Sequence, residues 1–101
     1  VKAIQDVFGE HAYHISLTSS KSMTGHILGG TGAVEAIISI LSMQHGVVTP
    51  TINHEEGDED PNIDYKLNFT FNQAQQREIR YAMSNNFGFG GHNACLLFKR
   101  I

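Results

Sequence analysis

Cysteine is almost missing from this sequence: Cys95 is the only one in 101 residues. A lone cysteine excludes an intramolecular disulfide and fits a reducing, cytoplasmic setting. Net positive charge is lacking too. The balance is -3, which gives no reason to expect nucleic acid or an anionic membrane as a partner. No apolar run approaches the roughly 20 residues that a bilayer-spanning helix needs, and no signal-peptide pattern opens the chain. Internal repeats and low-complexity segments are absent. Disorder is excluded by composition, with 41% hydrophobic and 17% charged residues. The length allows one domain or part of one. The first residue is Val rather than Met, so the chain is expected to be a piece of something longer.

What is present is organised around Lys21 to His45, KSMTGHILGGTGAVEAIISILSMQH. From Ala33 to Met43 only Glu35, Ser39 and Ser42 are polar. At helical spacing these three fall in one narrow stripe. A helix apolar nearly all round requires cover on nearly all sides, so it reads as the central helix of a layered protein. A small chain has little surface to wrap around it. The helix is expected to start between Thr24 and Thr31 and to end near His45-Gly46. Small residues along its first turns would let another backbone approach.

The flanking segments are simpler. Val1 to Phe8 reads as a helix with Val1, Ile4, Val7 and Phe8 on one face, stopped by Gly9. Ile15 to Ser20 reads as a short β-rich strand. Val47 to Arg77 is irregular, with Pro50 breaking structure, an exposed acidic turn EEGDED at Glu55 to Asp60, and an extended piece at Leu67 to Asn72. Arg80 to Asn86 and Ala94 to Phe98 read as strands joined by Phe87 to Gly91, FGFGG, which suggests an antiparallel hairpin with a loop longer than two residues.

Several motif echoes fail on their chemistry. Gly25 to Thr31 lacks the lysine that a phosphate-binding loop sets before its Ser/Thr. Gly30-Thr31-Gly32 and Gly88-Phe89-Gly90 lack the third glycine of a dinucleotide fingerprint. Asp58, Asp60, Asn62 and Asp64 alternate like a calcium loop, but Ile63 and Phe69 stand where Gly and Glu are required. His11 and His14 have no further ligands for a metal, and His45 and His54 read as loop residues. Cys95 lies in the apolar run ACLLF and reads as core, not as a nucleophile.

Lys21 and His26 are different, because a cation and an imidazole lie together before a buried helix. The partial positive charge of the helix start and the charge of Lys21 both favour a neutral imidazole with one N–H to donate. Such a donor suits a carbonyl oxygen that acquires charge. A buried Lys21 would need a partner, and Glu35 is the only carboxylate on the helix. From the pattern alone, an exposed lysine and a structural histidine account for the residues equally well.

KSMTGH, GGTGAVEAI, TPTIN and SNNFGFGGHNACLLF, in this order, closely resemble the C-terminal part of the type II β-ketoacyl-acyl-carrier-protein synthases. The resemblance covers essentially the whole chain. It implies an α/β fold: the C-terminal portion, residues 1–101, of a thiolase-like domain, with a mixed sheet packed on a buried helix and strands missing upstream. It also implies a decarboxylative Claisen condensation in fatty acid elongation, an acyltransferase reaction between an acyl thioester and malonyl-acyl carrier protein. His26 matches the histidine that hydrogen-bonds the malonyl thioester oxygen. Lys21 matches an active-site lysine linked to the glutamate matched by Glu35. Phe87 matches a gating phenylalanine whose backbone N–H serves the oxyanion hole, with Gly88, Phe89 and Gly90 flanking it. No cofactor is implied, although Glu35, Ser84 and Asn85 match positions that hold a monovalent cation in some members. Implied partners are acyl and malonyl acyl carrier protein and, in the parent enzyme, a second copy. Asn86 stands where Ser is common, and His92 where Thr or His occurs.

The nucleophilic cysteine and the first histidine lie upstream in these enzymes and are not among these residues, so the chain alone is expected to be inactive. Alternatives are a polyketide-type ketosynthase, a partner subunit without a nucleophile, or a non-catalytic module that binds carrier protein. Against the last, carrier proteins are acidic, and this chain is acidic with no basic cluster beyond Lys99-Arg100. By resemblance the segments 15–20, 80–86 and 94–98 are strands 3, 4 and 5 of a half-sheet ordered 3-2-1-4-5. Without strands 1 and 2 the sheet must close up or leave edges open. One apolar side of Ala33 to Met43 is then expected to be exposed, with a loosened helix start at 25–32, self-association, or both.

Overall fold

The computed structural model describes residues 1–101. Helix α1, Lys2–Phe8, ends at Gly9 as its sequence demands, but the chain continues at once into a 3-10 turn, Gly9–His14. The expected apolar face of α1 does not form: Val1 and Val7 are exposed, and only Ile4, Gln5 and Phe8 are half-buried. Strand β1 is only Ser16–Leu17, shorter than expected. Beyond Leu17 side chains take over from the ladder. Thr18 Oγ1 donates to the Thr49 carbonyl, and the Ser19 N–H donates to Thr51 Oγ1 at 2.8 Å. Hydroxyl residues offer the backbone this alternative.

A short helix α2, Lys21–Thr24, and a single 3-10 turn, Leu28–Gly30, lead into α3, Thr31–His45. Gly46 closes α3 in the left-handed region (φ 63°), with its N–H on the Ser42 carbonyl. A Cβ there would also stand 3.2 Å from the Arg77 carbonyl oxygen, so conformation and space both select glycine. The segment that follows carries β2, Val47–Val48, β3, Asn68–Phe69, and β4, Gln75–Gln76. Strand β3 lies within the expected extended piece and runs parallel to β1, while β2 and β4 pair antiparallel. Tyr13 ties the 3-10 turn before β1 to this segment, with the phenol donating to Asp64 Oδ2 at 2.6 Å.

The hairpin is longer than its sequence suggests. Strand β5, Tyr81–Gly88, pairs with β6, His92–Lys99, in unbroken register from Tyr81↔Lys99 to Gly88↔His92. Phe87 and Gly88 are therefore strand residues, and the turn is Phe89, Gly90 and Gly91. Gly90 and Gly91 both have φ near +83°, a conformation that other residues rarely adopt.

The mixed α/β character is distributed over three separate two-stranded sheets rather than one. Strand β1 does not close up against β5; it takes β3 instead, and the hairpin's outer edges stay open. Helix α3 packs chiefly on β5. Only eight residues are buried, and half of them are polar: Ser20, Thr31, Thr70 and Ser84 beside Ala12, Met43, Val48 and Leu67. As expected for a helix without its full cover, Ala33, Ile37, Ile40 and Leu41 form one exposed face of α3, with Ile37 57% accessible.

Candidate active site

The site is built on the first two turns of α3. Thr31 and Glu35 are four residues apart and so share a face. Glu35 receives the ammonium of Lys21, which α2 holds at its first position. The glutamate side chain is 12% accessible and the lysine 35%. A carboxylate so far withdrawn from water needs such a partner, and no other acidic residue lies on α3. Ser39, one turn further on, returns its hydroxyl to the Glu35 carbonyl oxygen at 2.9 Å.

Thr31 does for His26 what Glu35 does for Lys21. Its Oγ1 lies 3.1 Å from His26 Nδ1 and accepts the Ile27 N–H at 2.9 Å. The Leu28 N–H donates to the same Nδ1 at 3.0 Å. Leu28 carries a left-handed φ of 52°, unusual for a branched side chain. A backbone N–H can only donate, so in this arrangement Nδ1 holds the lone pair and the ring proton sits on Nε2. The imidazole is left with one outward N–H, the donor its sequence position suggested.

The hairpin joins at the same turn. A Cβ on Gly32 would lie 3.7 Å from Asn86 Nδ2, an ordinary contact that leaves room for alanine; close backbone approach is not what this glycine provides. Asn86 precedes Phe87. The Arg100 N–H donates to the Arg80 carbonyl, and hydrogen-bonded and non-bonded pairs alternate along an antiparallel ladder. Phe87↔Asn93 is then a non-bonded pair, so the Phe87 N–H points away from β6 toward the open edge of β5. Its side chain is 78% accessible, and Phe89 at the turn is exposed as well.

The three positions considered for a cation do not converge through their side chains. Neighbouring strand residues point to opposite faces: Ser84 is buried, Asn85 is exposed, and Glu35 is already engaged by Lys21. These three side chains do not form a common cation site. No cluster of three or more His, Cys, Asp or Glu side chains is placed to hold a metal ion. His11 and His14 lie with ring centroids 6.1 Å apart, and His54 stacks on Phe71 at 3.9 Å. Cys95 is exposed on β6, not buried as its apolar neighbours suggested; the open face of the hairpin is the reason. No helix is long and apolar enough to cross a membrane.

Sequence reasoning found Lys21, His26 and Glu35 but passed over Thr31, Leu28 and Asn86. A Thr one helical turn before the half-buried Glu35 is the available signal.

Comparison with known proteins gives the family. Residues 1–55 match the family described as beta-ketoacyl synthase, C-terminal domain. The whole chain is 52% identical to 3-oxoacyl-[acyl-carrier-protein] synthase 2 of Staphylococcus aureus (strain COL), of which it covers 23%. It is 45% identical over 100 residues to the synthase of the same name from Coxiella burnetii, again 23% of that protein. Among solved structures, the ketosynthase of a type II polyketide complex with its acyl carrier protein superposes with a TM-score of 0.87 at 34% identity, over 98% of this chain and 23% of that one. The chain thus spans about a quarter of the length of the relatives it matches. The match over residues 1–55, more than half of the chain, settles the family: the chain belongs to the β-ketoacyl synthases, in their C-terminal domain.

Proposed function

We propose that residues 1–101 supply part of the catalytic machinery of a β-ketoacyl-acyl-carrier-protein synthase that elongates fatty acids by decarboxylative condensation. The observation that supports this best is the gathering at one helix start. Thr31 holds His26, Glu35 holds Lys21, and Gly32 meets the strand that carries Phe87.

In the proposed reaction the malonyl thioester on the acyl carrier protein loses its terminal carboxyl group as carbon dioxide. The electron pair of the broken C–C bond passes into the thioester, whose oxygen takes up negative charge. His26 Nε2–H donates to that oxygen. The resulting carbanion attacks the acyl thioester on a cysteine supplied by the rest of the enzyme. A C–C bond forms and the cysteine thiolate leaves. The outward Phe87 N–H donates, in this scheme, to the oxygen of the tetrahedral intermediate. Lys21 carries the positive charge of the site, and Glu35 holds it in position. Exposed Phe87 and Phe89 beside the Gly90-Gly91 turn would form the gate to the acyl chain.

No protein cofactor enters this scheme. Its partner is acyl carrier protein, and the parent enzyme is proposed to be a homodimer. The 52% identity to a 3-oxoacyl-[acyl-carrier-protein] synthase 2 supports fatty acid elongation.

The test is His26→Ala in the enzyme that carries these residues as its C-terminal quarter. Condensation and malonyl decarboxylation are expected to fall about a hundredfold or more, with cysteine acylation retained. Equal loss of acylation and decarboxylation would remove His26 from the assigned role. Rapid acylation without any condensation of malonyl thioesters in the unmutated enzyme would favour a different reaction altogether.

A further inference from the structure

We propose that Thr31 is a positioning residue that commits His26 to the tautomer able to donate from Nε2. This rests on the role proposed for His26 above, but its test does not depend on turnover.

Thr31 is 3% accessible, and its hydroxyl stands between two groups. On one side the Ile27 N–H donates to Oγ1 at 2.9 Å. On the other, Oγ1 lies 3.1 Å from His26 Nδ1. Two assignments of the shared proton are conceivable. If Nδ1 were protonated, Oγ1 would accept from both neighbours, and its own hydrogen would have no partner in a place nearly closed to water. The Nδ1 proton would also face the Leu28 N–H, whose nitrogen is 3.0 Å away. One buried donor would be unpaired and two would confront each other, each a recognised cost. If Nδ1 is unprotonated, no donors confront each other and the hydroxyl hydrogen has an acceptor. The Ile27 N–H donates to Oγ1, and the Thr31 O–H and the Leu28 N–H share the one lone pair of Nδ1 in a three-centre arrangement. No buried side-chain polar atom is left without a partner. The threonine therefore acts as a polarity relay. One lone pair is taken by a backbone donor that cannot reverse, and the hydroxyl hydrogen finds its acceptor in Nδ1.

The α3 context explains why the relay holds. Thr31 is the first residue of the helix, and Glu35 one turn later is tied to Lys21. The hydroxyl is thus carried on a backbone held from both sides, and the imidazole, itself on an exposed connection, takes its orientation from it. Catalytic donors need such supporting contacts to hold their geometry.

The experiment is nitrogen-15 NMR of histidine-labelled chain, which distinguishes protonated from unprotonated ring nitrogens. It is run on unmutated protein, Thr31→Val, Thr31→Ala and Thr31→Ser. His26 in the unmutated chain is expected almost wholly as the Nε2–H form. In Thr31→Val and Thr31→Ala the tautomer ratio is expected to shift about fivefold toward Nδ1–H, the effect of one neutral hydrogen bond. Thr31→Ser is expected to restore the original ratio. In the assembled enzyme Thr31→Val should lower malonyl decarboxylation by a similar factor and leave acyl loading unchanged. Were Thr31→Val to unfold, the smaller alanine and the serine rescue still decide. An Nδ1–H histidine in the unmutated chain would overturn the relay. So would an unchanged ratio in the alanine variant, or a serine variant that behaves like alanine. None of these would touch the His26→Ala result, which tests the catalytic role by itself.

Discussion

The two sides of α3 differ in kind. At its N-terminal turns the polar side is complete. Lys21 meets Glu35, His26 meets Thr31, and no buried side-chain polar atom lacks a partner. Its apolar side is not complete, because Ala33, Ile37, Ile40 and Leu41 face outward. The accessible surface, 7271 Å², compares with about 5,700 Å² for a self-contained monomer of this mass. The excess is larger than one partner's share of a standard protein interface, about 800 Å². Hydrogen bonds and ion pairs are short-ranged and can be satisfied by a few nearby residues. Hydrophobic cover needs area, and area needs more chain. A chain that spans about a quarter of its relatives' length can therefore complete its polar contacts while leaving an apolar face uncovered.

That contrast can be broken from either side. The largest effect is expected on the apolar side. The isolated chain should self-associate through the α3 face, and Ile37→Lys should weaken that association about tenfold or more. Covering an isoleucine is worth about 1.5–3 kcal/mol, and 1.4 kcal/mol is tenfold in affinity. Sedimentation as a function of concentration reads this directly; equal association of both proteins would assign the contact elsewhere.

On the polar side, Glu35→Gln should destabilise the chain by about 1–2 kcal/mol in denaturant titration. That is a charge-assisted hydrogen bond reduced by the partial exposure of Lys21. Glu55→Gln and Glu56→Gln, in the exposed acidic turn, should stay within about 0.5 kcal/mol. Three indistinguishable midpoints would mean that the ion pair holds nothing together.

At the hairpin the two glycines should separate. Gly90→Val forces a branched residue to φ +83°, and the strain should cost about 1–2 kcal/mol of stability. Gly88 has no such φ, and its added Cβ would meet His92 at an ordinary 3.5 Å. Gly88→Val should therefore preserve the fold and impair only acyl loading in the assembled enzyme. Normal loading of long acyl chains by that variant would count against the gate.

The smallest effect concerns pH. The Tyr13 hydrogen bond, helped by the Lys66 N–H, lowers the Asp64 carboxyl below its ordinary 3.8. The same Asp64 bond raises the Tyr13 phenol above 10.0. A lowered acid stabilises the fold above its ordinary value and loses that contribution as pH falls through the folded one. A raised phenol stabilises below its ordinary value and loses it as pH rises. The Tm difference between Tyr13→Phe and the unmutated chain should be flat between about pH 5 and 9 and narrow on both sides. A difference independent of pH would place the tyrosine's contribution in its ring.

The legible part of the sequence was the part governed by local rules. The Gly46 stop followed from a helix end that only a left-handed residue can close. The Lys21–Glu35 pair followed from a single carboxylate on an apolar helix. The strand at 15–20 was over-read because Thr18 and Ser19 have β-branched or small side chains, yet their backbone and hydroxyl groups bond to Thr49 and Thr51. Cys95 was read as core from its apolar neighbours, but burial depends on what covers a sheet, and the open hairpin face covers nothing. The pairing of β1 with β3 joins residues about fifty apart, which no local pattern announces. Thr31 was missed for another reason: its importance lies in the hydrogen-bond direction imposed by Ile27, a matter of geometry and not of residue type.

The claim that the polar hub is complete within these residues is tested most directly by amide hydrogen exchange on the isolated chain, at a concentration where sedimentation shows monomer. Ile27 and Leu28 lie on an exposed connection, Leu28 opening its single 3-10 turn, yet their N–H groups donate to Thr31 Oγ1 and His26 Nδ1. Both amides should exchange well below the free-peptide rate, and in Thr31→Ala the Ile27 amide should lose that protection. Exchange of both at the free-peptide rate in the unmutated chain would show that the hub forms only when the rest of the enzyme surrounds it.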